Sequence, residues 1–218
     1  MIIKKIAKRI KSLIIKENKS PLRKGKNGDF IFIHINKTGG TSIAKAIGLP
    51  KKRHLKVTEV ISMIGEEEFN KAVTFCVVRN PWSKVVSHYK YRVKTNQTGM
   101  ADNFISFKEW VKQTYGENKN PFYYNNPKMF APQSNWLKDK NGVIKVKNIL
   151  KFESLSRDFE NFSKTLGIQT KLPHLNATKK GHYADYYDKE TVEIVGEWFK
   201  EDIELFNYEF DKNGSNNV

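Results

Sequence analysis

Apolar positions along the chain recur in two distinct patterns. Residues 30–35, FIFIHI, form a mostly apolar run between Gly28 and Lys37-Thr38-Gly39-Gly40, which predicts a strand buried on both faces, followed by a helix over 41–47. The run AVTFCVV at 72–78 repeats the signal, passes through Arg79-Asn80-Pro81 and predicts a helix over 82–93. A third, shorter strand is expected at 148–152, before a helix over 155–166. Val192, Val195, Phe199, Ile203 and Phe206 share one helical face, so a single long helix is expected over 189–206, with Gly196 lowering its intrinsic propensity. Strands alternating with helices imply an α/β fold, a central parallel sheet flanked by helices on both faces, with ligands outside the carboxyl ends of the strands. Residues 95–142, rich in Asn, Lys and aromatics with one helical stretch at 104–114, are expected as an insertion over that active face. No internal repeat is visible.

The beginning of the chain has another character. Ile2, Ile3, Ile6, Ala7, Ile10, Leu13 and Ile14 fall on one arc of a helical wheel, opposite Lys4, Lys5, Lys8, Arg9, Lys11 and Lys16. Such a basic amphipathic helix either lies on an anionic membrane surface or packs its stripe on its own domain or a sister subunit. Residues 18–28 supply Pro, Gly and Asn in a polar run and read as a linker, dividing the chain into 1–28 and a domain at 29–218.

Composition narrows the class. The 218 residues carry 39 Lys and Arg against 23 Asp and Glu, a net charge of +16, and the first 28 hold ten of the basic residues with one acid. Fourteen Phe, nine Tyr and four Trp argue for a folded core rather than a disordered chain. No run approaches the ~18 apolar residues a membrane span needs, and no signal-peptide pattern is present. Cys76 stands alone, which excludes an internal disulfide and fits a reducing compartment. A cytoplasmic protein is expected, with residues 2–16 as its only candidate contact to the inner membrane surface.

Chemistry concentrates at the strand ends. Lys37, Thr38, Gly39, Gly40, Thr41 and Ser42 place a cation, paired glycines and hydroxyls where a buried strand meets a helix, a pattern that cradles a phosphate. It is not a Walker A loop, because Lys37 precedes the glycines, and the second strand ends in Val78-Arg79 rather than in an acid suited to magnesium. Arg79 at the end of that strand and Ser87 eight residues on supply a planar fork and a hydroxyl for a second anion, as a nucleotide phosphorylated at both 5′ and 3′ positions requires. A P-loop-like nucleotide kinase or NTPase, and a basic nucleic-acid-binding protein, are the competing readings. The first lacks its magnesium acid, and the second leaves the paired anion motifs unexplained, so nucleic acid is not the expected partner.

IFIHINKTGGTSI resembles the 5′-phosphosulfate loop of sulfotransferases, PKTGGTS in the carbohydrate-directed branch, and VVRNPWSKVVSHYKY resembles the family's 3′-phosphate motif. The similarity continues through PQSNWL, KFESLSRDF and residues 172–208, with Asn36 standing where the family usually has Pro. The resemblance implies a three-layer P-loop-like fold and transfer of a sulfuryl group from 3′-phosphoadenosine-5′-phosphosulfate (PAPS) to an acceptor hydroxyl, of the heparan sulfate 2-O type and on a glycan. Lys37 would neutralise the leaving oxygen, Thr38 to Ser42 would hold the 5′-phosphate through backbone and hydroxyl groups, and Arg79 with Ser87 the 3′-phosphate. A sulfuryl group carries less charge than a phosphoryl group, so metal independence is expected. Among five histidines, His34 and His88 lie inside predicted elements and read as structural, while His174 and His182 flank a polar segment whose Lys179 or Lys180 can reach a phosphate. The resemblance favours His54, between the two anion motifs, as the base, with Asp102 or Glu109 of the insertion as acidic substitutes.

Overall fold

The computed structural model describes residues 20–49, 54–168, 170, 172 and 181–212. Its centre is a four-stranded sheet in the order β1 (Leu22–Gly25), β2 (Gly28–Ile33), β3 (Val73–Val78) and β4 (Asn148–Lys151). β2, β3 and β4 run parallel, with Phe32 opposite Phe75 and Cys76 opposite Ile149, while β1 pairs antiparallel with β2. The residues expected to be a linker therefore contribute an edge strand. LRKG carries one apolar side chain, Leu22, so its pairing could not show as periodicity; Lys26 and Asn27 close the hairpin, with Gly28 at φ 119°.

Both faces of the sheet are covered, which is why its strands read as continuous apolar runs. Ile31, Ile33, Cys76 and Val78 pack with Val57 and Val60 of α2 (Val57–Ile64), Phe69 of α3 (Glu66–Lys71), Trp136 and Phe206. On the opposite face Phe30, Phe32, Phe75 and Val77 meet Ile43 of α1 (Gly40–Ala46) and Leu155, Phe159 and Phe162 of α8 (Leu155–Thr165). The result is a three-layer α/β fold, with a mostly parallel sheet flanked by helices.

A third, aromatic cluster lies beside the sheet. Helix α4 (Pro81–Lys94) leaves β3 and packs Trp82, Val85 and Tyr89 against Trp110 of α5 (Phe107–Tyr115) and Val195 of α9 (Lys189–Trp198). Two short helices, α6 (Pro127–Phe130) and α7 (Ser134–Leu137), complete the insertion. The insertion thus has two roles, since α5 builds the aromatic cluster while residues 127–137 reach the strand ends. The expected helix over 189–206 is broken at Phe199 (φ −106°, ψ 20°) into α9 and α10 (Lys200–Phe206). The break lets Val195 and Phe199 enter the aromatic cluster while Phe206 turns into the core beneath the sheet.

Candidate functional site

β2 delivers the chain to its carboxyl end at His34, and the turn that follows is shaped by two left-handed residues, Lys37 (φ 66°) and Gly39 (φ 80°). Gly39 is open to that conformation because it lacks a Cβ, whereas Lys37 adopts it at a cost usually tolerated where surroundings over-determine the backbone. Gly40 starts α1 directly over the His34 ring: a Cβ on Gly40 would sit 2.1 Å from His34 Cδ2. The Lys37 ammonium lies 4.1 Å from the centroid of the Tyr91 ring on α4. Thr38 is fully buried, and its hydroxyl donates to the Ile35 carbonyl (3.0 Å), so what it has to offer an anion is its backbone N–H. Ser42 is the converse, with its N–H given to Gly39 O (2.9 Å) and its half-buried hydroxyl left as the donor. Thr41 is exposed at the start of α1.

Asn36, where the resembled family usually has Pro, is 4% exposed and donates from Nδ2 to Met129 O (2.9 Å), fastening α6 to the loop. Its Oδ1 finds no hydrogen-bond partner among the described residues.

Arg79 stands at the end of β3, beside β2, and its guanidinium joins the two motifs. Nη1 donates to the Lys37 carbonyl (3.3 Å), Nε and Nη2 donate to Ser83 Oγ (3.0 and 2.8 Å), and the plane lies 4.1 Å from the Phe152 ring centroid. Burial pulls its pKa down to about 10, against the nearby Glu153 and Tyr208, which favour the charged form. Ser83, one turn into α4, is thus the immediate partner of Arg79. Ser87 follows it by four residues and Tyr91 by eight, so the three share the helix face turned to the loop, with half-buried Ser87 between the Arg79 and Lys37 contacts.

The next stripe of α4 is buried and basic. Lys84, His88 and Arg92 are 1%, 4% and 1% exposed. Burial lowers Lys84 to about 8, with Asp202 opposing and Arg79 and Lys37 reinforcing the shift. Burial, together with Lys84, Arg92 and Lys37, holds His88 well below its ordinary value, so its ring is neutral between Trp110 and Phe130.

His54 reaches the same strand end from the segment before α2. Its Nδ1 lies 2.9 Å from the His34 carbonyl, and its ring packs on the His34 ring (4.4 Å) and edge-on to Trp136 (6.2 Å). A carbonyl only accepts, so Nδ1 carries a proton, and in the neutral ring the basic nitrogen is Nε2. His34, read from sequence as a strand residue, lies just past β2 and under the loop. His182 caps the short helical turn Tyr183–Tyr186. Exposed Asp102 accepts from Asn96 (2.6 Å) and exposed Glu109 from Gln113 (2.6 Å), each engaged within the insertion. The helix expected at 2–16 and residues His174, Lys179 and Lys180 lie outside the described residues.

Several residues in segments that carry the family resemblance had no role assigned from sequence. Gln133 and Glu153 reach residues 79 and 80 directly, and Asp202 and Tyr208 reach them through these two. Gln133 pairs with the Arg79 backbone, and Glu153 accepts from Asn80 N–H (2.8 Å) and Tyr208 hydroxyl (3.0 Å). Two residues after His54, Lys56 borders a cleft of about 720 Å³ with Glu59, Tyr124, Lys128, Asn135 and Trp198; His54 itself is not among the residues that line it. In it Lys128 pairs with Glu59 (2.5 Å); Lys128 and the Lys56 amide hold the Glu59 carboxyl below its usual range although burial pushes it up. Among the described residues, no group of three His, Cys, Asp or Glu is arranged to hold a metal ion, and no helix is long and apolar enough to cross a membrane.

The molecule is therefore a three-layer α/β protein with basic side chains gathered where its parallel strands end. Residues 23–209 match the family model described as the Sulfotransferase family, and the chain belongs to that family as a sulfuryl-transfer enzyme. The kinase and nucleic-acid readings give way to that class. A protein of Archaeoglobus fulgidus, described as uncharacterized, is 30% identical over 110 residues, covering 50% of this chain and 79% of its own. The crystal structure of a sulfotransferase from Alicyclobacillus acidocaldarius is similar with a TM-score of 0.44 at 16% identity, over 86% of this chain and 97% of that one.

Proposed function

We propose that the enzyme takes its sulfuryl group from PAPS and passes it to a carbohydrate hydroxyl, in the manner of the heparan sulfate 2-O branch that its sequence resembles. The observation that carries the donor reading is the Arg79 to Lys37 hydrogen bond (3.3 Å), which ties two anion-seeking segments together at neighbouring strand ends. A nucleotide with phosphates at both ends of its ribose would engage both segments at once. In this reading the loop amides of residues 38–41 and the Ser42 hydroxyl hold the 5′-phosphate, and Arg79 with Ser83 and Ser87 holds the 3′-phosphate.

The acceptor oxygen attacks sulfur in line with the bond to the bridging oxygen. His54 Nε2 takes the hydroxyl proton as the new O–S bond forms, and the S–O bond to the 5′-phosphate breaks. The departing oxygen gains charge, which Lys37 neutralises. These cationic side chains supply the charge a metal would otherwise bring, so chelation is expected to leave turnover unchanged. The acceptor is assigned to the cleft that opens at Lys56, two residues after His54: Tyr124 and Trp198 offer ring faces, Asn135 an amide, and Lys56 and Lys128 outnumber Glu59, which suits an anionic glycan.

Thermal-shift titration with PAPS, adenosine 3′,5′-bisphosphate and magnesium ATP tests the donor. The first two are expected to raise the melting temperature and the third to leave it unmoved; stabilisation by magnesium ATP alone would overturn the reading. Transfer of labelled sulfate from PAPS to a panel of anionic and neutral polysaccharides tests the acceptor, with label expected in the anionic members.

A further inference from the structure

The backbone of Arg79 is gripped by a side chain from the insertion. Gln133 Oε1 accepts from the Arg79 N–H (2.9 Å), and Gln133 Nε2 donates to the Arg79 carbonyl (2.9 Å). One primary amide thus satisfies both backbone groups of the residue where β3 ends and the sheet can no longer do so. Gln133 is fully buried and is itself anchored: its own N–H donates to Asp202 Oδ2 (2.6 Å), and the Ser134 N–H donates to Asp202 Oδ1 (2.8 Å). Asp202 is fully buried on α10, where the charge of buried Lys84 on α4, five residues after Arg79, acts on it. Burial raises the Asp202 carboxyl, while the two amides and Lys84 favour its ionised form.

We infer that Gln133, oriented by Asp202, is a positioning residue for Arg79 and sets how strongly the enzyme distinguishes a 3′-phosphorylated nucleotide from one without that phosphate. The inference rests on the donor reading above. Its physical basis is that a guanidinium can present a fork to an anion only if its stem leaves the strand end in a fixed direction. The side chain alone is held by two flexible hydroxyl bonds and one carbonyl, whereas the paired amide fixes the peptide planes on both sides of the Cα. Asp202 makes the amide's position independent of the surrounding loop, because its two oxygens hold consecutive N–H groups at the start of α7. The C-terminal helix therefore belongs to the donor site although none of its side chains needs to touch the nucleotide.

The test is the ratio of dissociation constants for adenosine 5′-monophosphate and adenosine 3′,5′-bisphosphate, measured by calorimetry on the full chain. Gln133→Met keeps the length and burial of the side chain and removes both bonds to Arg79. It is expected to cut the ratio about tenfold while the monophosphate constant stays within about twofold. Gln133→Glu keeps an acceptor for the Arg79 N–H and is expected to lie between wild type and Gln133→Met. In an Arg79→Ala background, Gln133→Met should cost nothing further in the ratio, because there is no guanidinium left to aim. An unchanged ratio in folded Gln133→Met, or an equal loss for both nucleotides, overturns the positioning role. If Gln133→Met does not fold, Asp202→Asn decides by the same ratio, since it sets an amide NH₂ against one of the two N–H groups and should lower it too. A wild-type protein with no preference for the bisphosphate overturns the donor reading, and the inference with it; that pattern is distinct from a wild-type preference that survives every Gln133 and Asp202 variant.

Discussion

Lys37 is a residue in a left-handed backbone whose ammonium is parked over the Tyr91 ring, so its charge is held beside the loop and the α4 face that carries Ser83 and Ser87. If it meets the leaving oxygen, its value rises as that oxygen becomes anionic. Lys37→Ala is expected to lower kcat by about 10²–10³ and to change donor affinity little, by single-turnover transfer and calorimetry. A rise in KM with kcat intact would make it a binding residue instead. Gly40 gives a second prediction at this scale. A Cβ there would lie 2.1 Å from one His34 ring atom and 2.2 Å from another, so Gly40→Ala must displace the ring, which packs between Phe32 and His54. A loss of about 1–3 kcal/mol in denaturant unfolding is expected, together with weaker nucleotide binding. The loop was marked in sequence as a candidate anion site by its glycine, hydroxyl and cation types. Their division of labour was not, since the burial of the Thr38 hydroxyl on Ile35 and of the Ser42 amide on Gly39 depends on the path of the turn.

Secondary-structure elements carry their own signals at their ends. Asp188 caps α9: its carboxylate accepts from the Thr191 N–H (2.9 Å) and hydroxyl (2.6 Å), and Lys108 stands 3.3 Å away. The Thr191 hydroxyl and then its amide hold the Asp188 carboxyl down at about 2. A carboxyl lowered in the folded state stabilises that state above its ordinary pKa, roughly 4, and the contribution is lost as pH falls toward 2. Asp188→Ala is expected to cost about 1 kcal/mol near neutrality. The difference in melting temperature between variant and wild type should narrow as pH drops below ~4; a gap that widens in acid would contradict the capping role. The strands and helices around the sheet were legible because both faces of the sheet bury apolar side chains. β1 and the break at Phe199 were not: LRKG has too little apolar content to show a period, and the break serves two separate clusters that only the packed molecule defines.

Across the whole molecule, three clusters divide the work. The two beneath and above the sheet fix the strand ends, and the aromatic cluster fixes α4, so the loop and Arg79 are braced from both sides. Because this framework begins at β1, the protein lacking residues 1–19 is expected to bind adenosine 3′,5′-bisphosphate with unchanged affinity. Sedimentation with anionic liposomes separates the two uses of the Ile and Leu stripe in 2–16. Pelleting by the full chain alone, weakened by salt, marks a membrane contact, and a lower melting temperature in the truncated chain marks packing on the fold.

The kind of protein is already written along the chain, in alternating buried strands and amphipathic helices and in separated segments that resemble the sulfotransferase motifs in their order. The first follow from local composition and spacing, the second from likeness to a family, and the chain carries both whatever its path. Which side chains stand together is settled by packing. The grip of Gln133 on Arg79 spans 54 residues, the anchoring of Gln133 by Asp202 spans 69, and the seating of His54 on the His34 carbonyl spans 20. Contacts over such separations leave no periodic mark in sequence, because a buried Gln or Asp is chosen by the partner that packing brings to it rather than by its neighbours in the chain.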